Sequence, residues 1–234
     1  MRKIIPKYLF ICLASILIFT SFSINTSAVV LGNDIRTRIT KTTDFPNSAV
    51  VHLAGVSNVQ YGCTGWMVGP KTVVTAAHCV SEGTTSMTVS PGKNEGSNPY
   101  GTAKIRQVHI SPSYIGPERP ADDWAVINID KDLGNQTRWF GYNSGLPNGS
   151  ITVTGYPGDK SYGQMWTGVG SIVRTANNVA YHNVDTYGGQ SGAPMYDYNY
   201  QVYAIHVGYN GTDLNRGARI TQEVINAIES FKRQ

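Results

Sequence analysis

Three short motifs place a histidine, an aspartate and a serine where nucleophilic catalysis could use them. His78 stands next to a cysteine in the motif at 75–79. Asp123 comes directly before an apolar stretch with the composition of a buried strand, and Ser191 lies in the Gly-Gly-Gln-Ser-Gly motif at 188–192. A histidine can take the proton of a serine hydroxyl, and a carboxylate can hold that histidine in the useful tautomer.

The glycines beside the serine would let the backbone turn tightly. In such a turn the N–H groups of Gly189 and Ser191 could point at one oxygen and stabilise an oxyanion. Each motif alone has an ordinary structural explanation, namely a packed histidine, an aspartate at the start of a strand, or a Gly/Ser turn. Their joint occurrence predicts a hydrolase that acts through an acyl-enzyme.

The first 28 residues have the features of a secretory signal peptide. Three basic residues come first, an apolar run of 11 residues follows at 9–19, and small residues end at Ala28. A membrane anchor is the alternative, but a spanning helix needs about 20 apolar residues. We therefore expect an exported protein whose mature chain begins at Val29, while cleavage after Ser23 would leave a short stub for later removal.

The net charge gives no support for a nucleic-acid partner. The chain has 19 basic and 15 acidic residues, a formal net charge of +4. Three basic residues and no acidic ones belong to residues 1–28, so 16 basic residues remain against 15 acidic ones. A nearly neutral chain with 15% charged residues, rich in Gly and Tyr, also disfavours coiled coils and helical bundles.

Cys63 and Cys79 are the only cysteines of the expected mature chain. Exported proteins mature in oxidising compartments, where two such cysteines form a disulfide. The bridge would close a loop of 15 intervening residues. In the chain-entropy model, closing a loop of this length stabilises the folded state by about 3 kcal/mol. Zinc is the alternative, but the sequence lacks further ligands at metal-site spacing. We therefore expect a disulfide beside His78, no metal and no cofactor.

The rest of the chain is predicted to form many short strands separated by turns. Runs rich in Val, Ile, Thr and aromatic residues alternate with turn residues, which is typical of a barrel or sandwich. One helix is predicted near the end, where Val224, Ile228 and Phe231 share a face behind Thr221 as the N-cap. The predicted strands are 49–54, 63–68, 72–75, 86–90, 103–110, 124–129, 151–155, 166–174, 179–185 and 201–207.

These motifs resemble those of the bacterial glutamyl endopeptidases, secreted serine proteases of the chymotrypsin fold that cleave after glutamate. The order His, Asp, Ser is the chymotrypsin-like one and differs from that of subtilisins and α/β-hydrolases. The resemblance assigns His78 as general base, Asp123 as its orienting partner and Ser191 as nucleophile. It extends over nearly all of the mature chain and is carried by 29–32, 36–38, 63–66, 69–72, 155–160 and 185–192.

The resemblance also implies the architecture. We expect an all-β fold of two six-stranded antiparallel β-barrels with the active site between them and a C-terminal α-helix. A turn-rich stretch at 134–149 divides the mature chain roughly in half. The expected organisation is a signal peptide at 1–28, an N-terminal barrel at 29–138 with the histidine and aspartate, and a C-terminal barrel at 139–234 with the serine.

The side chain preferred before the scissile bond is predicted from the specificity pocket. His206 and Thr186 occupy offsets from Ser191 at which glutamate-specific relatives carry a histidine and a threonine. A buried carboxylate needs hydrogen-bond donors or positive charge, which His206, Thr186 and, by resemblance, the α-amino group of Val29 would supply. We therefore expect cleavage after Glu and less well after Asp. Trypsin-like selection of Arg or Lys by Asp185, six residues before the serine, is the alternative.

A toxin-like protease restricted to one target, or a binding protein on the same scaffold, is a further alternative. The complete set of His78, Asp123 and Ser191 argues against lost catalysis, because a binding protein needs none of the three. The expected partners are polypeptide substrates with Glu before the scissile bond. We also expect a monomer that is secreted, with no nucleic-acid partner and no membrane contact after removal of the signal peptide.

Overall fold

The computed structural model describes residues 28–55, 62–81, 87–116 and 118–234. The predicted signal peptide, apart from Ala28, lies outside the described residues. Within these ranges, no helix has the length and apolar character needed to cross a membrane. The described strands form two sheets, and each sheet supplies part of the predicted site.

The first sheet is a closed antiparallel barrel of six strands. Its strands are β2 (Val50–Ala54), β3 (Cys63–Met67), β4 (Thr72–Thr75), β5 (Thr88–Pro91), β6 (Ala103–Ile110) and β7 (Ala125–Ile129). Their hydrogen-bonded order is β2–β3–β4–β7–β6–β5. Val, Ile and Thr are frequent in these strands and suit a pleated, buried surface. Trp66, Trp124 and Ile127 belong to the fully buried core. Closure leaves no free strand edge.

The second sheet has nine strands, more than the six predicted for the second barrel. They are β1 (Thr37–Ile39), β8 (Gly141–Tyr142), β9 (Ile151–Gly155), β10 (Met165–Gly170), β11 (Ile172–Ala176), β12 (Val179–His182), β13 (Pro194–Tyr196), β14 (Gln201–Tyr209) and β15 (Asn215–Arg219). Their order is β1–β10–β9–β13–β14–β15–β12–β11, and β8 pairs in parallel with β14. The sheet is larger than expected partly because the chain before the barrel joins it, with Thr37 opposite Thr167.

One long predicted strand is broken in the structure. The stretch predicted at 166–174 forms β10, which pairs with β9, and β11, which pairs with β12. The break follows Gly170, where a Cβ atom would lie 2.5 Å from Asn183 Oδ1. The backbone N–H of Ser171 donates to the same Asn183 oxygen at 2.7 Å. Asn183 therefore holds the chain at the point where it changes partner strands.

The C-terminal helix is confirmed. It is α2 (Gln222–Lys232), and the only other α-helix of the described residues is the single turn α1 (Gly134–Thr137). Thr221 is the N-cap of α2 and accepts a hydrogen bond from Val224 N at 3.4 Å. Val224 and Ile228 are fully buried, and Asn128 of β7 donates to the carbonyl of Phe231 at 3.0 Å. The predicted apolar face thus packs on the barrel.

Thr64 of β3 connects the two sheets. Its backbone N–H donates to the carbonyl of Ser191 at 2.8 Å, and its hydroxyl donates to the carbonyl of Gly189 at 2.9 Å. The same hydroxyl accepts from Tyr156 N at 3.0 Å. A buried threonine with all of its hydrogen bonds made fixes the position of its partners well. The loop between β12 and β13 is therefore positioned directly by the barrel.

Candidate active site

His78 lies on a short 3₁₀ turn, Ala77–Cys79, that follows β4. The neighbouring Cys79 forms a disulfide with Cys63 at the start of β3, which confirms the predicted bridge, and their Cα atoms are 6.1 Å apart. The bridge ties the turn to β3, so the histidine is held at the end of the barrel. Its side chain is 25% exposed, which leaves it accessible to a substrate.

Asp123 lies beside His78 because β4 and β7 are neighbours in the barrel. Thr75 at the end of β4 stands opposite Ala125 at the start of β7. Asp123 Oδ1 accepts a hydrogen bond from the backbone N–H of His78 at 2.9 Å, and Oδ2 lies 2.7 Å from His78 Nδ1. The aspartate side chain is only 2% exposed, so water competes little for these bonds.

Asp123 also shifts the pKa of His78. Burial lowers the pKa of an imidazole, because it disfavours the charged form. The negative charge of Asp123 and its hydrogen bond act in the opposite direction and outweigh burial, so the pKa of His78 is raised above its usual 6.5. The pair therefore stabilises an imidazolium, the form that a histidine takes after accepting a proton.

Ser191 comes from the second sheet, in the loop between β12 and β13. Its carbonyl oxygen accepts from Thr64 N and lies 3.7 Å from Cys79 Sγ. These contacts bring Ser191 to the corner of the barrel that carries His78. In the described part of the chain, no hydrogen bond joins the Ser191 hydroxyl to His78. Hydrogen bonds between catalytic side chains are often long before substrate binds.

Gly192 makes the close approach of this loop to the barrel possible. Its φ of +86° is in the left-handed region that favours glycine. A side chain at this position would also collide with the carbonyl oxygen of Thr64 and the hydroxyl of Thr75. The backbone N–H of Gly192 donates to the carbonyl of His206 at 2.7 Å, which links the serine loop to β14.

The backbone around Gly189 leaves two donors unused. Gly189 has a φ of +99°, and a Cβ atom there would lie 2.5 Å from the carbonyl oxygen of Tyr156. Among the described residues, the N–H groups of Gly189 and Ser191 donate to no protein acceptor. Both donors are thus available to an oxygen of a bound substrate, as an oxyanion hole requires.

His206 and Thr186 are fully buried, and each retains a polar atom without a partner. His206 lies on β14, and its Nδ1 is 3.1 Å from Nε2 of His182 on β12. Within the described ranges, His206 Nε2 and Thr186 Oγ1 make no hydrogen bond. Nδ1 of His182 also lacks a partner among the described residues. Buried polar atoms are nearly always hydrogen-bonded, so the unpaired atoms of His206 and Thr186 are available to a ligand group.

The surroundings of His182 and His206 favour their neutral forms. Burial lowers the pKa of His182 to about 3. Burial is also the main cause that lowers the pKa of His206 well below 6.5, and the positive charge of the nearby Arg216 acts in the same direction. A neutral imidazole has one N–H donor and one acceptor. His206 can therefore offer a ligand a hydrogen bond at neutral pH but not a positive charge.

Val29 lies against Thr186, and Asn215 holds it there. Val29 O accepts from Thr186 N at 3.2 Å and from Asn215 Nδ2 at 2.7 Å, while Val29 N donates to Asn215 Oδ1 at 3.1 Å. Asn215 stands opposite His182 across β12 and β15, and His182 contacts His206, so Val29 is connected to His206 through these two residues. Neither Asn215 nor His182 belongs to a local motif, so their part in the site was not predictable from the sequence.

Asp185 anchors the N-terminal segment. Its two carboxylate oxygens accept from the backbone N–H groups of Leu31 at 2.7 Å and Ile35 at 3.1 Å. The residue is only 3% exposed. With both oxygens engaged by the backbone, Asp185 is not placed as a free acid for an Arg or Lys side chain. This geometry disfavours the trypsin-like alternative.

Arg36 fastens the same segment to the serine loop. Its buried guanidinium forms ion pairs with Asp34 at 2.8 Å and with Asp159 at 2.5 Å. Its NH1 also lies 3.4 Å from Oε1 of Gln190, the residue immediately before Ser191. A buried arginine with two carboxylates is a rigid connection. The N-terminal segment and the nucleophile loop are therefore joined by one charged cluster.

One group of potential metal ligands occurs within the described residues, namely Cys63, His78 and Cys79. Both sulfur atoms of this group belong to the disulfide. A disulfide sulfur is not the thiolate that zinc binds. The group is therefore a consequence of the bridge beside His78 rather than a set of metal ligands.

The matches of this chain to a family model, to curated relatives and to solved structures identify the same family of proteases. Residues 35–229 match the protein-family model described as Trypsin. The chain is 38% identical over 221 residues to the glutamyl endopeptidase of Bacillus licheniformis. This alignment covers 87% of this chain and 69% of the relative. The chain is 37% identical over 220 residues to a Bacillus subtilis protein named extracellular metalloprotease, with 88% and 70% covered. A solved Glu endopeptidase in complex with MPD has a TM-score of 0.80 and 30% identity, covering 88% of this chain and all of that one.

The architecture agrees with these matches. The closed six-stranded barrel, the larger second sheet and the C-terminal helix form the chymotrypsin-like fold expected from the sequence. The sequence motifs around His78, Asp123 and Ser191 lie where the two sheets meet in this fold. Family match, fold and relatives agree, and we conclude that the chain belongs to the trypsin family as a chymotrypsin-like serine protease similar to the glutamyl endopeptidases.

Proposed function

We propose that the protein is a secreted endopeptidase that cleaves peptide bonds after glutamate and less well after aspartate. The observation that carries the proposal is the buried pair of unpartnered atoms, His206 Nε2 and Thr186 Oγ1, among the described residues. A carboxylate placed there can accept from both groups, which offsets the cost of removing its charge from water. The similarity to glutamyl endopeptidases supports the same substrate.

The chemistry is nucleophilic acyl transfer. Ser191 Oγ attacks the carbonyl carbon of the scissile bond while His78 takes the hydroxyl proton. Asp123 stabilises the resulting imidazolium, and the N–H groups of Gly189 and Ser191 stabilise the tetrahedral oxyanion. His78 then gives the proton to the leaving amine as the C–N bond breaks. Water attacks the acyl-enzyme by the same route, which releases the glutamyl product and restores the serine hydroxyl.

In this proposal His182 sets the tautomer of His206. When its Nε2 carries the proton, it donates to His206 Nδ1, and the proton of His206 must then be on Nε2. Nε2 is the atom without a protein partner in the described residues, so its N–H is free to donate to a substrate carboxylate. His182 thus acts as a positioning residue that keeps His206 in the donating tautomer.

A mature N-terminus at Val29 supplies the positive charge that the neutral histidines lack. Val29 lies next to Thr186, one of the two residues proposed to bind the carboxylate. An α-amino group has a pKa of about 7.7–8.0 and is largely cationic at neutral pH. Removal of residues 1–28 by a signal peptidase would create this group, and export would also favour the disulfide between Cys63 and Cys79.

The direct test uses peptides that differ only in the residue before the scissile bond. We expect kcat/KM for Glu to exceed that for the isosteric Gln, and for Arg, by at least about 10²-fold, because only the carboxylate satisfies the buried donors. Ser191→Ala should abolish cleavage. Equal rates for Glu and Gln would contradict carboxylate recognition, and a preference for Arg would restore the role of Asp185. No cleavage of any peptide would favour the target-restricted or binding alternative.

The pH dependence of cleavage is expected to follow His78. Since only the neutral imidazole can accept the Ser191 proton, kcat/KM should rise with pH through a midpoint above 6.5, in keeping with the raised pKa of His78. His182 and His206 stay neutral over this range and should not contribute.

The cause of the raised pKa of His78 can be tested by NMR. The ring protons of His78 are followed as a function of pH in the inactive Ser191→Ala variant. The midpoint should fall when Asp123→Asn is added, because the negative charge that raises the pKa is removed. An unchanged midpoint would show that Asp123 does not cause the shift.

A further inference from the structure

A second cavity opens next to the serine loop, with a volume of about 160 Å³. Its walls are the side chains of His52, Tyr156, Lys160 and Tyr162 and the chain at 157–158. Neither His206 nor Thr186 is among its lining residues. The catalytic steps described above do not use it.

The wall of this cavity is in direct contact with the proposed oxyanion hole. Gly158 N donates to the carbonyl of Gly188 at 2.7 Å. The carbonyl oxygen of Tyr156 lies 2.5 Å from the position that a Cβ of Gly189 would occupy. The cavity therefore begins one or two residues from the N–H groups that hold the scissile carbonyl, within reach of a peptide bound at Ser191.

The lining is aromatic. The ring of His52 is 4.9 Å from the ring of Tyr156 and 5.2 Å from that of Tyr162, and both contacts are edge-to-face. Tyr162 is 62% exposed although its ring packs against that of His52 and has Lys93 Nζ over it at 5.5 Å. A further ring could pack against its exposed side in the same edge-to-face manner.

The positive charge of Lys160, the lysine that lines the cavity, is already paired, because its Nζ lies 2.8 Å from an Asp34 oxygen and 3.5 Å from an Asp159 oxygen. Lys93 lies behind the lining, with its Nζ 5.5 Å from the centre of the Tyr162 ring and 3.3 Å from Asn98 Oδ1. Burial lowers the pKa of Lys93 and so disfavours its charged form. An apolar cavity of roughly 150 Å³ is large enough to hold benzene. The size and chemistry of the cavity therefore suit an aromatic side chain.

We propose that this cavity is a substrate subsite that takes an aromatic side chain from the first or second residue after the scissile bond. The inference rests on the proposed function, in which the preceding glutamate occupies the pocket of His206. An extended peptide advances about 3.3 Å per residue. In the proposed function the scissile carbonyl lies at the N–H groups of Gly189 and Ser191, so the next residues of the substrate come close to Gly188, whose carbonyl accepts from Gly158 in the cavity wall.

The experiment measures kcat/KM for peptides with Glu fixed and with Phe, Leu, Lys, Glu or Ala at either following position. Phe should exceed Ala by roughly tenfold at one of the two positions, because a ring is removed from water. Tyr162→Ala should abolish this preference and leave the Ala peptide unchanged, while Tyr162→Phe should retain it. Tyr198→Ala, which removes a ring that is 77% exposed and does not line the cavity, is the matched control.

A glutamyl methyl ester, which has no residue after the scissile bond, separates this inference from the proposed function. Tyr162→Ala should hydrolyse the ester at the wild-type rate. Failure of the wild-type protein to hydrolyse it would contradict cleavage after glutamate. Hydrolysis of the ester with equal rates for Phe and Ala peptides would overturn the subsite alone, as would a preference that survives Tyr162→Ala. A preference for Glu or Lys would overturn its aromatic character.

Discussion

Asp123→Asn is expected to lower kcat about 10⁴-fold without unfolding the protein, the size of effect known for triads of this kind. The amide keeps the shape of the carboxylate but loses its charge, so the imidazolium of His78 is no longer stabilised. Its NH₂ group can also donate to His78 Nδ1, which places the histidine proton on the wrong nitrogen. Turnover of a Glu peptide and the thermal unfolding of both proteins are the measurements.

The adjacent aspartate provides the matched control. Asp122 pairs with Arg119 at 2.7 Å, and the described structure shows no contact between it and His78. Asp122→Asn removes the same charge one residue away and should change kcat by less than about twofold, because its ion-pair partner Arg119 is solvent-exposed and the pair is not bonded to His78. A large loss in Asp122→Asn with an active Asp123→Asn would transfer the orienting role to Asp122.

His206→Ala is expected to lower kcat/KM for Glu peptides by roughly 10²–10³-fold, the typical cost of leaving a buried charge without its partner. The loss should be much smaller for the slowly cleaved Gln peptide, because a neutral amide needs less compensation than a carboxylate. The ratio of the two rates is therefore the informative quantity. Equal losses on both peptides would show that His206 supports the fold and does not recognise the charge.

Thr186 allows a finer version of the same experiment. Thr186→Val removes the hydroxyl and keeps the shape of the side chain, whereas Thr186→Ser keeps the hydroxyl. Selectivity for Glu over Gln should fall in the valine variant and persist in the serine variant. A fall in both would indicate that packing around Val29 and Asn215, rather than the donor, determines the preference.

Strands with strong local patterns were predictable from the sequence. The predicted bounds 72–75, 103–110 and 151–155 coincide with β4, β6 and β9, in which Val, Ile and Thr recur. By contrast, β13 begins with a proline, and β15 contains two arginines and Gly217. Gly217 is explained only by the fold, because a Cβ atom there would lie 2.5 Å from Met195 Sδ. Such a constraint comes from a residue distant in sequence.

The candidate site divides in the same way. His78, Asp123 and Ser191 each stand in a motif, so their residue types and order could be recognised. The role of Asp185 could not, because it bonds with Leu31 and Ile35, which are 154 and 150 positions away. Asn215 is 186 positions from Val29. Interactions across such distances leave no periodic or local signal, and only the folded chain shows which polar groups meet.

The division of the site between two sheets has a consequence for the newly made protein. The barrel supplies His78 and Asp123, the second sheet supplies Ser191, and contacts between the two sheets, among them those of Thr64 and Gly192, bring these residues together. A chain in which one sheet has formed without the other contains no working nucleophile. Copies that are still folding therefore cannot digest their neighbours, and proteolysis begins only after both halves have assembled.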